Sequence, residues 1–157
     1  MNANLVRTFD FIMRAEGCKV VNVQDDPGGL TAPYGLTLAS MQTFKMDLNH
    51  DGKVDGKDVY LVTKEIAMEA FKKHYWDKLG GDALRGGFDL FLTDWGYNAG
   101  TGVPAKRMDI SILEELKSNR DAFYANLVEK KPVLRKFIKG WLNRSKNAYD
   151  EALKCEV

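Results

Sequence analysis

The sequence predicts a mainly α chain with at most a small sheet near residues 19–36. Apolar residues recur at helical spacing along most of the 157 positions, as in Leu5, Phe9, Ile12 and Met13. A β-branched stretch bounded by turn residues, Lys19–Val23, is short. The apolar share is 45% and the aromatic share 11%, which excludes a disordered chain, and the length suits one domain over residues 1–157.

Each element follows from local pattern. Residues 3–15 form an amphipathic helix, with Asn2 or Asn4 as the cap and Gly17 just past the end. Glu16 is then the last residue of that helix or the first beyond it. Asp25-Asp26-Pro27-Gly28-Gly29 is a turn cluster. Thr37 caps a short helix through Lys45, with Leu38 and Met41 inward. Val59, Val62, Ile66, Ala70 and Trp76 give a helix from Val59 to Leu79. Leu84, Phe88, Phe91, Leu92 and Trp95 give another, ending near Asn98-Ala99-Gly100. Ala105, Met108, Ile112 and Leu116 give the next, and Phe123, Leu127 and Val128 follow until Pro132. Pro132 also suits the first turn of a last helix, with Leu134, Phe137, Trp141 and Ser145 on one side. The Met, Phe and Trp stripes read as core packing.

No apolar run exceeds four residues, far short of the ~20 that a membrane-spanning helix needs. No membrane insertion is expected. Arg7 and Asp10 fall where a signal peptide keeps an apolar stretch, so the chain is expected to be made in a cytosol without a secretory signal. Cys18 and Cys155 make no disulfide framework and read as reduced thiols. With His50 and His74 as the two histidines, no zinc site is expected. Residues 1–100 carry 11 basic and 14 acidic side chains, residues 101–157 carry 12 and 8, and Lys130–Lys146 holds seven Lys/Arg and no Asp or Glu. That run reads as a solvated helix face, with an anionic partner as the alternative.

Asp47-Leu48-Asn49-His50-Asp51-Gly52-Lys53-Val54-Asp55-Gly56-Lys57-Asp58 has side-chain oxygens at loop positions 1, 3, 5, 9 and 12. Gly52 stands at position 6, where the chain must turn sharply, and Lys53 at position 7 would offer its carbonyl. This spacing suits a hard, oxygen-loving cation. It resembles an EF-hand loop, and more closely the dockerin variant, which ends in Asp. Asp47, Asn49, Asp51, Lys53, Asp55 and Asp58 are the expected ligands of a structural Ca²⁺. The plainer alternative is an acidic turn.

Glu16 lies at a helix end beside Cys18 and a Val-rich segment, and a carboxyl held against apolar surface is suited to general-acid work. Asp25 and Asp26 sit on a Gly/Pro-rich turn that should stay polar and partly wet, which keeps at least one of them ionised. Two carboxylates in unlike surroundings, with the Thr31 hydroxyl to position a water, make a glycoside-hydrolysis set. On composition alone, a surface charge and ordinary turn chemistry explain the same residues.

Arg14-Ala15-Glu16-Gly17, Asp26-Pro27-Gly28-Gly29-Leu30-Thr31 and Tyr34-Gly35-Leu36-Thr37 resemble the N-terminal signature of glycoside hydrolase family 108. Those are bacteriophage and bacterial N-acetylmuramidases whose pattern runs EGG, then DPGG-x-T, then GI-T. His74-Tyr75-Trp76, Asp94-Trp95-Gly96-Tyr97-Asn98-Ala99-Gly100, Arg120–Tyr124 and Phe137–Arg144 extend the resemblance in order along nearly the whole chain. Cys18 departs from the second Gly of EGG, Leu36 stands for Ile, and one extra residue separates Thr31 from Gly35.

The resemblance implies a lysozyme-like α+β fold, with a small N-terminal catalytic lobe (residues 1–80, including the loop 47–58) facing a helical, peptidoglycan-binding-like part (residues 81–157). It implies a peptidoglycan hydrolase cutting the β-1,4 bond between N-acetylmuramic acid and N-acetylglucosamine, in the manner of a phage endolysin. Glu16 maps onto the family's catalytic Glu. The family string selects Asp26 as its partner, whereas the Glu–x8–Asp–x5–Thr spacing of phage-type lysozymes selects Asp25, and both stay open. Tyr34, Tyr97 and Asn98 are expected to contact glycan, with Asn143-Arg144 as further donors and Trp95 and Trp141 more ordinary as core. No catalytic cofactor and no nucleic acid are expected. A monomer, released to the cell wall by a holin-type partner, is. Two alternatives remain, a lytic transglycosylase acting on the same bond and a calcium-dependent, non-catalytic docking or glycan-binding module.

Overall fold

The computed structural model describes residues 3–22 and 29–155. The chain divides into two compact units, Phe9–His74 and Met1–Thr8 with Tyr75–Val157.

In the first unit, α1 (Ala3–Glu16) contributes its second half, with Phe9 and Ile12 wholly buried. Asn4 lies inside this helix rather than at its cap. β1 (Val21–Asn22) and β2 (Leu30–Thr31) pair antiparallel, Val21 against Thr31 and Asn22 against Leu30, where the small sheet was expected. A tight turn, Pro33–Gly35, leads to α2 (Leu38–Phe44), and the Thr37 side chain accepts the Ser40 N–H as its cap. Two short helices follow, α3 (Gly56–Val59) and α4 (Lys64–Phe71). Met41, Leu36, Val59 and Phe71 complete the core, and the Phe9 and Phe71 rings meet at 5.5 Å.

The expected continuous helix from Val59 to Leu79 is not one element. Thr63 accepts the Ile66 N–H and so starts a new helix, leaving Tyr60 and Leu61 exposed between α3 and α4. After α4 the winding loosens to a π turn over Lys72–Trp76 and tightens to a 3-10 turn over Asp77–Leu79.

The second unit is built on α5 (Phe88–Ala99), buried from Phe88 through Gly96. It starts at Phe88 rather than Leu84 because Asp89 Oδ1 accepts the N–H groups of Gly87 and Leu90, at 2.9 and 2.7 Å, and fixes the first turn there. Residues 105–112 are not the expected helix either. Pro104–Arg107 makes a 3-10 turn, Ile112 is exposed, and α6 runs unbroken from Leu113 to Lys130. Pro132 opens a 3-10 turn, Pro132–Phe137, ahead of α7 (Ile138–Leu153). A helix buried on every side needs covering on every side. α7 packs along α5, and α6 reaches it through Arg120 on Asp94 and Phe123 on Trp95, to supply part of that cover. No described helix is long and apolar enough to cross a membrane.

Candidate active site

The turn after β2 is made by two successive left-handed residues, Tyr34 (φ 68°, ψ 17°) and Gly35 (φ 81°). It is tied down from several directions. The Tyr34 N–H donates to the Gly17 carbonyl at 3.0 Å, the Ala32 N–H to Leu36 at 2.7 Å, and the Gly35 N–H to Ala32 at 3.2 Å. Thr31 bridges to Thr37, and Ala32 and Leu36 are buried. These bonds bring the turn against the end of α1, where Glu16 is the last helical residue and half-buried. The approach is close: a Cβ placed on Gly35 would stand 2.7 Å from Cγ, Cδ and Oε2 of Glu16. The Glu16 carboxyl therefore lies directly on the bare backbone of Gly35, beside a half-buried tyrosine.

Thr31 sits on the strand that feeds this turn, half-buried, its hydroxyl directed to the Gly29 carbonyl at 3.5 Å. Asp25 and Asp26 lie outside the described residues. Of the expected site residues, the catalytic candidate Glu16 and the glycan-contact candidate Tyr34 are brought together through Gly17 and Gly35. Gly35 itself was read only as a motif letter. The Pro-Tyr-Gly turn was the available signal for it, since a glycine ending such a turn marks a close backbone approach.

Tyr97 and Asn98 belong to the other unit. Tyr97 packs its ring on Tyr75 at 4.7 Å, and the Asn98 side-chain oxygen accepts the Tyr124 hydroxyl. Both are half-buried. Trp95 is wholly buried core, and Trp141 stacks on Tyr124 at 5.0 Å. Arg144 is engaged within the protein: its Nε and Nη2 donate to Asp94 Oδ1 at 3.1 and 2.8 Å. Arg120 meets the other Asp94 oxygen at 2.8 Å, with both side chains fully buried. Burial would raise the Asp94 pKa, but the Arg144 and Arg120 guanidiniums outweigh it and hold the carboxyl below the usual range. The sign of this network was visible only as an Asp inside an apolar stripe.

The acidic loop is closed by its own backbone. Asp47 accepts the N–H groups of Asp51 and Gly52 at 3.2 and 2.9 Å, Asn49 accepts that of Asp51 at 2.9 Å, and Asp51 that of Lys53 at 3.0 Å. Gly52 takes φ 85° at the sharp bend expected of position 6. Each of these carboxylate oxygens keeps a second lone pair, so Asp47, Asn49, Asp51 and the Lys53 carbonyl suit a hard cation. Asp55 and Asp58, the expected ligands at positions 9 and 12, also serve the following helix. They form a capping box on α3, Asp55 accepting the Lys57 N–H and Asp58 the Asp55 N–H. Asp58 also accepts the N–H groups of Leu48 and Asn49 at one oxygen and is buried. Within the loop both Asp58 oxygens accept N–H groups, Oδ1 two of them and Oδ2 one. The Asp55 N–H, with those of Leu48 and Asn49, outweighs the effect of burial and keeps the Asp58 pKa low. Among the described residues no three acidic, His or Cys side chains gather as a metal cluster, so a cation here would depend on Asn49 and the Lys53 carbonyl as well.

Of the seven cations in the basic run, Arg144 is spent on Asp94 and Lys146 pairs with Asp150 at 2.5 Å. Lys130, Lys131, Arg135, Lys136 and Lys139 are exposed around the turn between α6 and α7. Both cysteines are free thiols.

Comparison with known proteins bears on this geometry. A solved structure, "Structure of Brucella abortus SagA", matches with a TM-score of 0.77 over 97% of this chain and 95% of that one, at 24% identity, and so shares the fold. No curated protein matches significantly. The profile of Glycosyl hydrolase 108 matches residues 9–100, a span that holds Glu16, Thr31, the Tyr34–Gly35 turn and the acidic loop. With more than half its length matched, the chain belongs to glycosyl hydrolase family 108 and is a glycoside hydrolase of the peptidoglycan-degrading, muramidase type to which its motifs pointed.

Proposed function

We propose that this enzyme hydrolyses the β-1,4 bond between N-acetylmuramic acid and N-acetylglucosamine in bacterial peptidoglycan, as a phage endolysin. The observation that carries the reading is Glu16, inside the family-matching span, half-buried and seated on Gly35 at a turn that cannot easily withdraw. In this role Glu16 hands its proton to the bridging oxygen as the bond to the leaving sugar breaks. Asp25 or Asp26 stabilises the developing oxocarbenium charge or steers a water, with Thr31 helping to hold that water. Tyr34, Tyr97 and Asn98 contact the glycan. No cofactor takes part in the chemistry. The enzyme is made in the host cytoplasm and reaches the wall once a holin-type partner opens the membrane.

The product identifies the reaction. Purified murein sacculi digested to completion should yield new reducing ends on muramic acid. Reducing ends on glucosamine would contradict the bond assignment, and anhydro-muramic ends, one water lighter, would make the enzyme a lytic transglycosylase.

Calcium has a structural place in the same reading, at the loop 47–58 through Asp47, Asn49, Asp51, the Lys53 carbonyl, Asp55 and Asp58, the last two also capping the helix that follows. Support comes from oxygens at positions 1, 3, 5 and 7 and from the bend at Gly52. Millimolar calcium should raise the melting temperature and a chelator should reverse it. An unchanged transition would leave the loop as a self-closed turn.

A further inference from the structure

We propose that Gly35 is a positioning residue for Glu16: its lack of a side chain is what allows the acid to lie at its working position. The proposal rests on the reading of Glu16 as the proton donor. A Cβ at residue 35 would stand 2.7 Å from three atoms of the Glu16 side chain, Cγ, Cδ and Oε2, nearer than real contacts allow. Something must then move, and the surroundings decide what. The turn is fixed by the hydrogen bonds of Ala32, Tyr34 and Gly35 and by the Thr31–Thr37 bridge. Ala32 and Leu36 on either side are only 1% exposed. The turn also holds Tyr34 in a left-handed conformation that bulky residues avoid, which a loosely held turn would relax. The Glu16 carboxyl, by contrast, is the far end of a flexible side chain. The acid yields, and the fold does not.

A displaced acid makes a specific kinetic signature. On the proposed reading Tyr34, Tyr97 and Asn98 contact the glycan and Gly35 offers it no side chain, so affinity should stay while proton transfer fails. A misplacement of about 1 Å costs on the order of 100-fold in rate. Gly35 also sits at φ 81°, where any side chain is strained, so the part of its effect that passes through Glu16 is the part that depends on what stands at position 16.

The test compares wild type, Gly35→Ala, Gly35→Asn, Glu16→Gln, Glu16→Asp and the double variant G35A/E16D on soluble, uncross-linked glycan chains. Circular dichroism checks folding, and sacculus pull-down checks binding. Asn is included because it tolerates the left-handed region better than Ala. The expected result is a folded Gly35 variant with kcat lowered about 100-fold and KM within about threefold of wild type. The shorter Asp relieves the contact, so the double variant should lose less than the product of the two single losses. A folded Gly35 variant with wild-type kcat, a change confined to KM, or strictly multiplicative losses would each overturn the proposal. So would loss of the fold in both Gly35 variants. Retained activity in Glu16→Gln would instead remove the reading of Glu16 itself.

Discussion

Left-handed residues mark where this chain spends conformational energy. Lys45 ends α2 at φ 57° and is exposed, its N–H closing onto Gln42 and Met41. A side chain there costs about 1 kcal/mol relative to glycine and contributes no burial. Lys45→Gly should therefore stabilise the protein by about that much in a denaturant titration. A lower midpoint would show that the Lys45 side chain holds more than the cap. Tyr34 bears the same kind of strain, but at the turn that supports Glu16, and there the strain fixes the acid's surroundings. At this scale the sequence was informative about residue types and silent about approach. Glu16 was legible because it ends an amphipathic helix inside a recognisable motif. Its seat on Gly35 was not, because contact between residues nineteen positions apart follows from the hairpin's register. The pairing of Arg144 was hidden for a related reason: a guanidinium beside an amide suggests sugar binding, and the buried carboxylate that it meets lies fifty residues away.

Among the elements, the packing of α5, α6 and α7 turns on Asp94. It joins Arg120 of α6 and Arg144 of α7 to the middle of α5, with Arg120 wholly buried and its guanidinium also 5.3 Å from the Phe91 ring. Removing the carboxylate strands two cations in apolar surroundings, so Asp94→Asn should cost about 3–5 kcal/mol. The Asp94 pKa is lower folded than the ~3.9 of an unfolded chain, so its stabilisation is complete above that value and is lost as pH falls toward the folded pKa. Asp58 acts in the same direction through the N–H groups of Asp55, Leu48 and Asn49. Wild-type stability should decline on acidification below about pH 4, and Asp94→Asn should decline less steeply while starting lower. Equal slopes in urea titrations across that range would remove Asp94 from the account. Helix boundaries were less legible than helix existence. Apolar periodicity ran straight through 59–79 and 105–116, but the Thr63 cap after an exposed connection broke the first, and the Pro104–Arg107 3-10 turn with exposed Ile112 broke the second. Thr63 restarts α4, and α6 begins only at Leu113.

Across the whole molecule, the mainly α fold with one small antiparallel pair was readable from periodicity and turn chemistry, because burying an amphipathic face requires that periodicity. A division into two parts came only with the resemblance, at residues 80 and 81. The compact units instead part at His74–Tyr75, with Met1–Thr8 joining the later one, a boundary hidden because the linking segment is helical and carries no linker composition. Glycan chemistry became legible only when the Glu16, Asp26–Thr31 and Tyr34–Thr37 strings were taken together, each being common alone. The central claim is that the Glu16 carboxyl delivers the proton that breaks the glycan. The most direct test is release of reducing ends from bare sacculi by wild type and Glu16→Gln, matched for fold and for sacculus binding. The Gln variant should bind normally and release them at least about 100-fold more slowly. Release at the wild-type rate would contradict the claim.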